Sequence, residues 1–209
     1  MSINIGEAYD EMARIVASEM SIEEGVVALI DGCAARCPDN IWESLRTFDF
    51  AADIAALHAW VAQTVSYEPP AKEINAFWFG LFNPILEDGA DSCCLYISGS
   101  TRYSPTDVDS FVWKDDSYLP TAKYADSKVL KDIYRSTQDP SKGECGILAE
   151  YMLCLGYSAL VLHDFFRSAD TKLTLGESVE RIVVVGFDAG DYIELGKINH
   201  NGWDRNIQP

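Results

Sequence analysis

Between Gly143 and Arg167 the chain carries Leu148, Met152, Leu155, Ala159, Leu162 and Phe166, spaced alternately four and three residues apart. That period is one face of an α-helix, and it keeps its register across Gly156. A glycine inside a helix costs about 1 kcal/mol, which burial of the apolar face offsets. The spacing therefore predicts one continuous helix over about 143–167, around which the rest of the chain must pack. The competing reading stops the helix at Gly156 as a C-cap glycine and makes 158–166 a buried strand.

The flanking segments set the class. Ser21-Ile-Glu-Glu24 is a capping-box pattern that opens a helix running to about Cys37, stopped by Pro38. Asn40-Ile-Trp-Glu43 opens another. There Ile41, Leu45, Phe48, Ala52, Ala55, Ala59 and Ala62 recur at helical steps, which predicts one long helix to about Ser66 with its alanine face packed closely. Tyr-Glu-Pro-Pro at 67–70 breaks it. Residues 73–85 and 92–100 are aromatic and β-branched around a Glu-Asp-Gly turn at 87–89, a hairpin signal. Residues 101–122 read as loop with a short strand at Ser110–Trp113, and helix returns over about 125–137. The runs at 180–187 and 191–198 flank Asp188-Ala-Gly190, a second hairpin, before an irregular tail. The expectation is a single α+β domain over 1–209, with a helical part over 1–66 and a mixed part over 73–209. Its mainly antiparallel sheet is built from hairpins at about 73–100 and 180–198.

Charge narrows the partners. The chain has 33 acidic and 16 basic residues, a net of −17. Residues 1–66 alone carry 11 acids and 3 bases. Nucleic acid and anionic membranes repel such a chain, whereas a basic protein attracts it. No apolar run reaches the roughly 20 residues of a membrane span. The N-terminus has no basic segment followed by an apolar core, so it reads as neither a signal nor a transit peptide, and the expected compartment is the cytoplasm. There the six cysteines, at 33, 37, 93, 94, 145 and 154, are expected to be reduced.

Cys145 is the one candidate nucleophile. The capping-box pattern Ser141-Lys-Gly-Glu144 puts it in the first turn of a helix, where the helix dipole favours a thiolate. Glu144 opposes that. Locally the stretch is similar to the nucleophile helix of transglutaminase-like cysteine enzymes, with Gly143, Cys145, Ala149, Leu155 and Gly156 in matching places. In that family the helix ends at the Leu-Gly pair and a strand follows. The resemblance implies a thiol enzyme, with a histidine and an aspartate on following strands. The available bases here are His163 and His200, the latter near Trp203 and Asp204. A continuous helix over 143–167 opposes a Cys145–His163 pair. Eighteen residues at 1.5 Å each place the two about 27 Å apart, and a nucleophile and its base must lie within roughly 3 Å.

Metal and nucleotide chemistry lack their patterns. Cys33 and Cys37 are four apart on a helix, without the further ligands that structural zinc needs. His58 beside Trp60 reads as a packed histidine. Asp107 with Asp109, and Asp115 with Asp116, lack the ladder of a calcium loop. No phosphate-loop or dinucleotide fingerprint occurs. No metal and no cofactor are expected. The favoured expectation is a non-catalytic acidic module that binds a basic protein. Its class-level likeness is to bacterial immunity proteins and antitoxins, which are small, acidic inhibitors of basic toxins. The candidate contacts are Glu7, Asp10, Glu11, Glu19, Glu23, Glu24, Asp107, Asp109, Trp113, Asp115, Asp116 and Tyr118.

Overall fold

A computed structural model describes residues 4–84, 92–103, 117–137, 143–188 and 191–205. Four helices come first: α1 (Ile5–Val16), α2 (Ile22–Arg36), α3 (Ile41–Leu45) and α4 (Phe50–Tyr67). Then follow β1 (Ala76–Phe82), β2 (Cys94–Ser100), α5 (Lys128–Thr137), α6 (Glu144–Ser168) and α7 (Thr171–Leu175). The strands β3 (Glu180–Phe187), β4 (Tyr192–Asn199) and β5 (Gly202–Arg205) close the described chain. The class is α+β.

α6 is continuous, as the apolar spacing predicts. Its first turns, Glu144–Ala149, are α-helical, a π-helical stretch covers Glu150–Leu155, and α-geometry resumes over Gly156–Ser168. All six residues of the stripe are buried. Burial extends round the whole circumference from Met152 to His163, the mark of a core helix. By length and composition alone α6 is long and apolar enough to cross a membrane, contrary to the expectation that no such run exists. In this fold 78% of its most apolar window is buried inside the protein. Gly156 serves that packing, because a Cβ there would lie 2.7 Å from Leu29 Cδ1 of α2.

The sheet has five strands in the order β2-β1-β3-β4-β5. β1 and β2 are antiparallel, with Phe79 opposite Ile97, and β3 and β4 are antiparallel, with Val185 opposite Ile193. The two hairpins meet through a parallel β1–β3 pair, with Phe79 opposite Val185. One face of the sheet presents Phe77, Phe79, Ile97, Val183, Val185 and Leu195 to the helices, and α6 lies in that core. The other face carries a smaller cluster of Ala76, Trp78 and Val184, flanked by Tyr96, Tyr103 and Tyr192.

Two local expectations are corrected. Residues 41–66 form two helices, not one. Thr47 and Phe48 N–H bond back to Ser44 and Leu45 carbonyls, and Asp49 then accepts from Ala52 N–H at 3.1 Å to start α4. The face is also reversed: Ala52, Ala55 and Ala59 are exposed, and Asp53, Leu57, Val61, Thr64 and Val65 are buried. Two polar members hide that stripe in the sequence. The expected irregular tail contains β5, which pairs with β4 because Gly196, at φ 150°, leaves room for the Asp204 backbone. The Glu87-Asp88-Gly89 turn and the short strand at 110–113 lie outside the described residues.

Candidate protein-binding face

The acids of the first third gather on a helical hairpin. Asn4 caps α1 by accepting from Glu7 N–H at 3.3 Å. Ser21 and Glu24 form the full capping box that opens α2, and the hydrogen bonds from Ser21 hold the Glu24 carboxyl below its usual range. Helical spacing then places Glu7, Asp10, Glu11 and Arg14 along one face of α1, and Glu23, Val27 and Asp31 along one face of α2. Between the helices runs a groove of about 520 Å³ lined by Glu11, Arg14, Ile15, Met20, Ala28 and Asp31, among others.

Ion pairs consume some of this charge. Glu11 pairs with Arg36, Asp31 with Arg46, and Glu19 with Arg205 at 3.0 Å. Glu7, Asp10 and Glu23 are exposed and have no cation within ion-pair distance among the described residues. On the same helical hairpin Met20 and Val27 stand 46% and 44% exposed. Sequence reasoning named the acids but missed Asp31, Met20 and Val27, whose shared face emerges only when α1 and α2 are paired.

A second cleft, of about 430 Å³, lies between the starts of α4 and α5 and carries Asp49, Asp53, Asp126 and Asp132. Its carboxylates are already engaged. Asp49 caps α4, Asp126 pairs with Lys131, and Asp132 pairs with Lys128. Asp53, only 6% exposed, accepts from Ser127 Oγ, Lys128 N–H, Val129 N–H and Tyr157 Oη at 2.7–3.2 Å. It holds the start of α5 in place. This cleft therefore offers less unmatched charge than the α1–α2 face.

The central-loop candidates Asp107, Asp109, Trp113, Asp115 and Asp116 lie outside the described residues. Tyr118, named as an interface anchor, is placed in the core. It is 7% exposed, its hydroxyl donates to Glu68 O at 2.8 Å, and burial pushes that hydroxyl up to about 12.

The structure does not bring the thiol-enzyme candidates together. Cys145 is bonded to Cys37 in a disulfide, with the two Cα atoms 5.7 Å apart. This corrects the expectation of six reduced cysteines: the end of α2 and the start of α6 meet, and a sequence separation of 108 conceals it. His163 sits 18 residues further along the same helix, buried edge-on against Trp203 at 5.9 Å. His200 is exposed on the turn between β4 and β5. Leu155-Gly156 does not end the helix and no strand follows it directly, so the local arrangement expected from transglutaminase-like enzymes is not formed. The N-cap position of α6 is Gly143, at φ 51°, with no side-chain cap. His58 is packed, its Nε2 lying 3.1 Å from Val161 O. Among the described residues no group of three or more metal-ligating side chains converges.

Comparison with protein-family models, with curated proteins and with solved structures returned no match.

Proposed function

We propose that this chain is a non-catalytic acidic binding module whose partner is a basic protein, acting as bacterial immunity proteins and antitoxins do when they cover a basic toxin. The observation that carries the reading is the α1–α2 hairpin, where Glu7, Asp10 and Glu23 stand exposed with no cation within ion-pair distance among the described residues, and where Met20 and Val27 are also exposed. Carboxylates of this kind steer a basic surface into contact, and small apolar groups among them supply the dry contact that retains it. The partner's own active site is then occluded by bulk rather than by chemistry.

The test pairs capture with kinetics. A pull-down against basic proteins of the source cell identifies the partner, and association is then measured for the wild type and for Glu7→Lys/Asp10→Lys/Glu23→Lys. The expected result is an on-rate roughly 10-fold or more lower in the triple variant, and a wild-type rate that falls steeply with salt. A partner bound equally fast by both proteins in several hundred millimolar salt would remove the steering role. Capture of no basic protein would remove the reading altogether.

A further inference from the structure

We propose that Cys37 and Cys145 form a reversible dithiol–disulfide centre, opened by exchange with a cellular dithiol, that fastens the start of α6 to the end of α2. This is independent of the binding reading above.

Position is the first argument. Cys37 is the C-cap residue of α2, already out of helical geometry at φ −141° and ψ 85°. Cys145 is the second residue of α6, behind the left-handed Gly143. Both are half-buried, so a small thiol or a partner's dithiol can reach them. Cys33, Cys93 and Cys154 are each 0% exposed. Redox chemistry is thereby confined to one pair, with Cys94 the one other half-buried cysteine.

The second argument is that the buried thiols do not intervene. Cys33 lies one turn before Cys37 on α2, the natural candidate to attack the bond from inside. Burial pushes its thiol up to about 12, so almost none of it is thiolate near neutral pH. Cys154 is raised by its hydrogen bond with Cys93 and by burial. Cys94 is raised as well, chiefly by burial. Raised pKa values disfavour attack on the bond by Cys33, Cys94 or Cys154.

The third argument is that the rest of the α2–α6 contact does not need the bond. Gly32 meets Met152, Gly156 meets Leu29, and Gly25 meets Leu160, all at least seven residues beyond Cys145. The π-helical stretch Glu150–Leu155, which itself contains Met152, lies between the first turns and the Gly156 and Leu160 contacts, and such insertions are sites where a helix changes direction. Opening the bond therefore loosens the first turn around Glu144 and Cys145, while Leu148 and Ala149 stay buried in the core and the crossing stays intact.

The step balances without a metal or external oxidant. A thiolate of the incoming dithiol attacks Cys37 Sγ, and Cys145 leaves as thiolate, its charge favoured by the helix start and opposed by Glu144. The second thiol of the dithiol then attacks the mixed disulfide and releases Cys37. Two electrons pass from the dithiol, which becomes a disulfide, and the chain takes up two protons to hold two thiols. A disulfide oxidant reverses the sequence.

Dithiothreitol serves as the dithiol probe on the native full-length protein, followed by iodoacetamide and peptide mapping. The expected result is two additional alkylated residues, Cys37 and Cys145, with Cys33, Cys93 and Cys154 untouched and the far-ultraviolet spectrum unchanged. Faster amide exchange should be confined to the first turn of α6, Glu144–Ile147, and the last turn of α2, and oxidised glutathione should restore the starting mass. Cys37→Ser should expose Cys145 to alkylation without reductant. Three outcomes each overturn the proposal: a pair that resists dithiothreitol until denaturant is added, all six cysteines reacting together on reduction, or native protein that already carries six thiols in air.

Discussion

Arg181 is a cation held in the core at 1% exposure, with no carboxylate in ion-pair contact among the described residues. Its guanidinium donates to four backbone carbonyls: Ile74 and Ala71 at 3.0 Å, Pro70 at 3.2 Å and Thr174 at 2.5 Å. It also lies over the Phe77 ring, 5.4 Å from the centroid. The planar fork joins the Pro-Pro joint, α7 and β3, and burial lowers its pKa to about 10 despite the opposing influence of Tyr118. A lysine cannot reproduce that fork. Arg181→Lys should lower stability by about 3 kcal/mol, since carbonyls are left unbonded in the core. Urea unfolding should show a lower midpoint at unchanged slope.

His163 works in the opposite sense. Burial, then Arg205 and Arg167, push its imidazole down to about 4, with Asp164 and Glu19 opposing. Between roughly pH 6.5 and pH 4 the unfolded chain binds a proton there that the folded chain refuses, so stability is lost as pH falls through that window. After discounting for solvent screening the loss is about 1–2 kcal/mol. His163→Phe should remove this contribution. The difference in urea midpoint between variant and wild type should move in the variant's favour on going from pH 7 to pH 4, and a constant difference would contradict it.

At the scale of elements, α6 shows what periodicity can and cannot convey. The four-three spacing carries through Gly156 and the helix is continuous, yet the π-helical stretch leaves no trace in residue type. Gly156 costs helix propensity, and the sequence offers no reason for it. The reason is Leu29 Cδ1 at 2.7 Å and Met12 Cγ at 3.1 Å from where a Cβ would sit. Gly156→Ala should therefore lose about 1 kcal/mol, because overpacking the crossing outweighs the propensity gained. Thermal unfolding with Leu29→Ala added should show the two substitutions to be non-additive, the second relieving the first.

The same contrast runs through the rest of the fold. Both hairpins were legible, because alternation around Asp-Gly or Asp-Ala-Gly turns is a local signal. The parallel β1–β3 pair was not, since roughly 100 residues separate Phe79 from Val185 and register across such a gap is set by packing. The α4 face was misread because Asp53 and Thr64 break the apolar stripe, although each is satisfied inside: Asp53 at the start of α5 and Thr64 on Ala122 O at 3.3 Å. β5 was missed because Gly-Trp-Asp-Arg is too short to show a period. Of the candidate site, the acids were visible as counts. That Glu7 and Asp10 lack paired cations among the described residues while Glu11 and Glu19 have them depends on where Arg36 and Arg205 arrive from, at separations of 25 and 186 residues.

The molecule as a whole is a helical layer laid on one face of a mixed sheet, with α6 as the element that α1, α2, α4, β4 and β5 all touch. Its charge is distributed so that the N-terminal third, which forms the outer helices, holds 11 acids against 3 bases. Both halves contribute to the core, whereas the electrostatic face belongs to the N-terminal one. Cys37–Cys145 is the covalent tie between these halves.

That tie also governs how the chain responds to a cut. Residues 38–144 form a covalent ring closed by sulfur, containing α3, α4, both strands of the first hairpin and α5. One nick anywhere in the ring cannot separate the fragments, whereas a nick outside it can release a tail. A single proteolytic nick within 38–144 should yield one product heavier than the intact chain by one water without reductant, and two pieces with it, so the protein can be severed once in its middle and still travel as a single body.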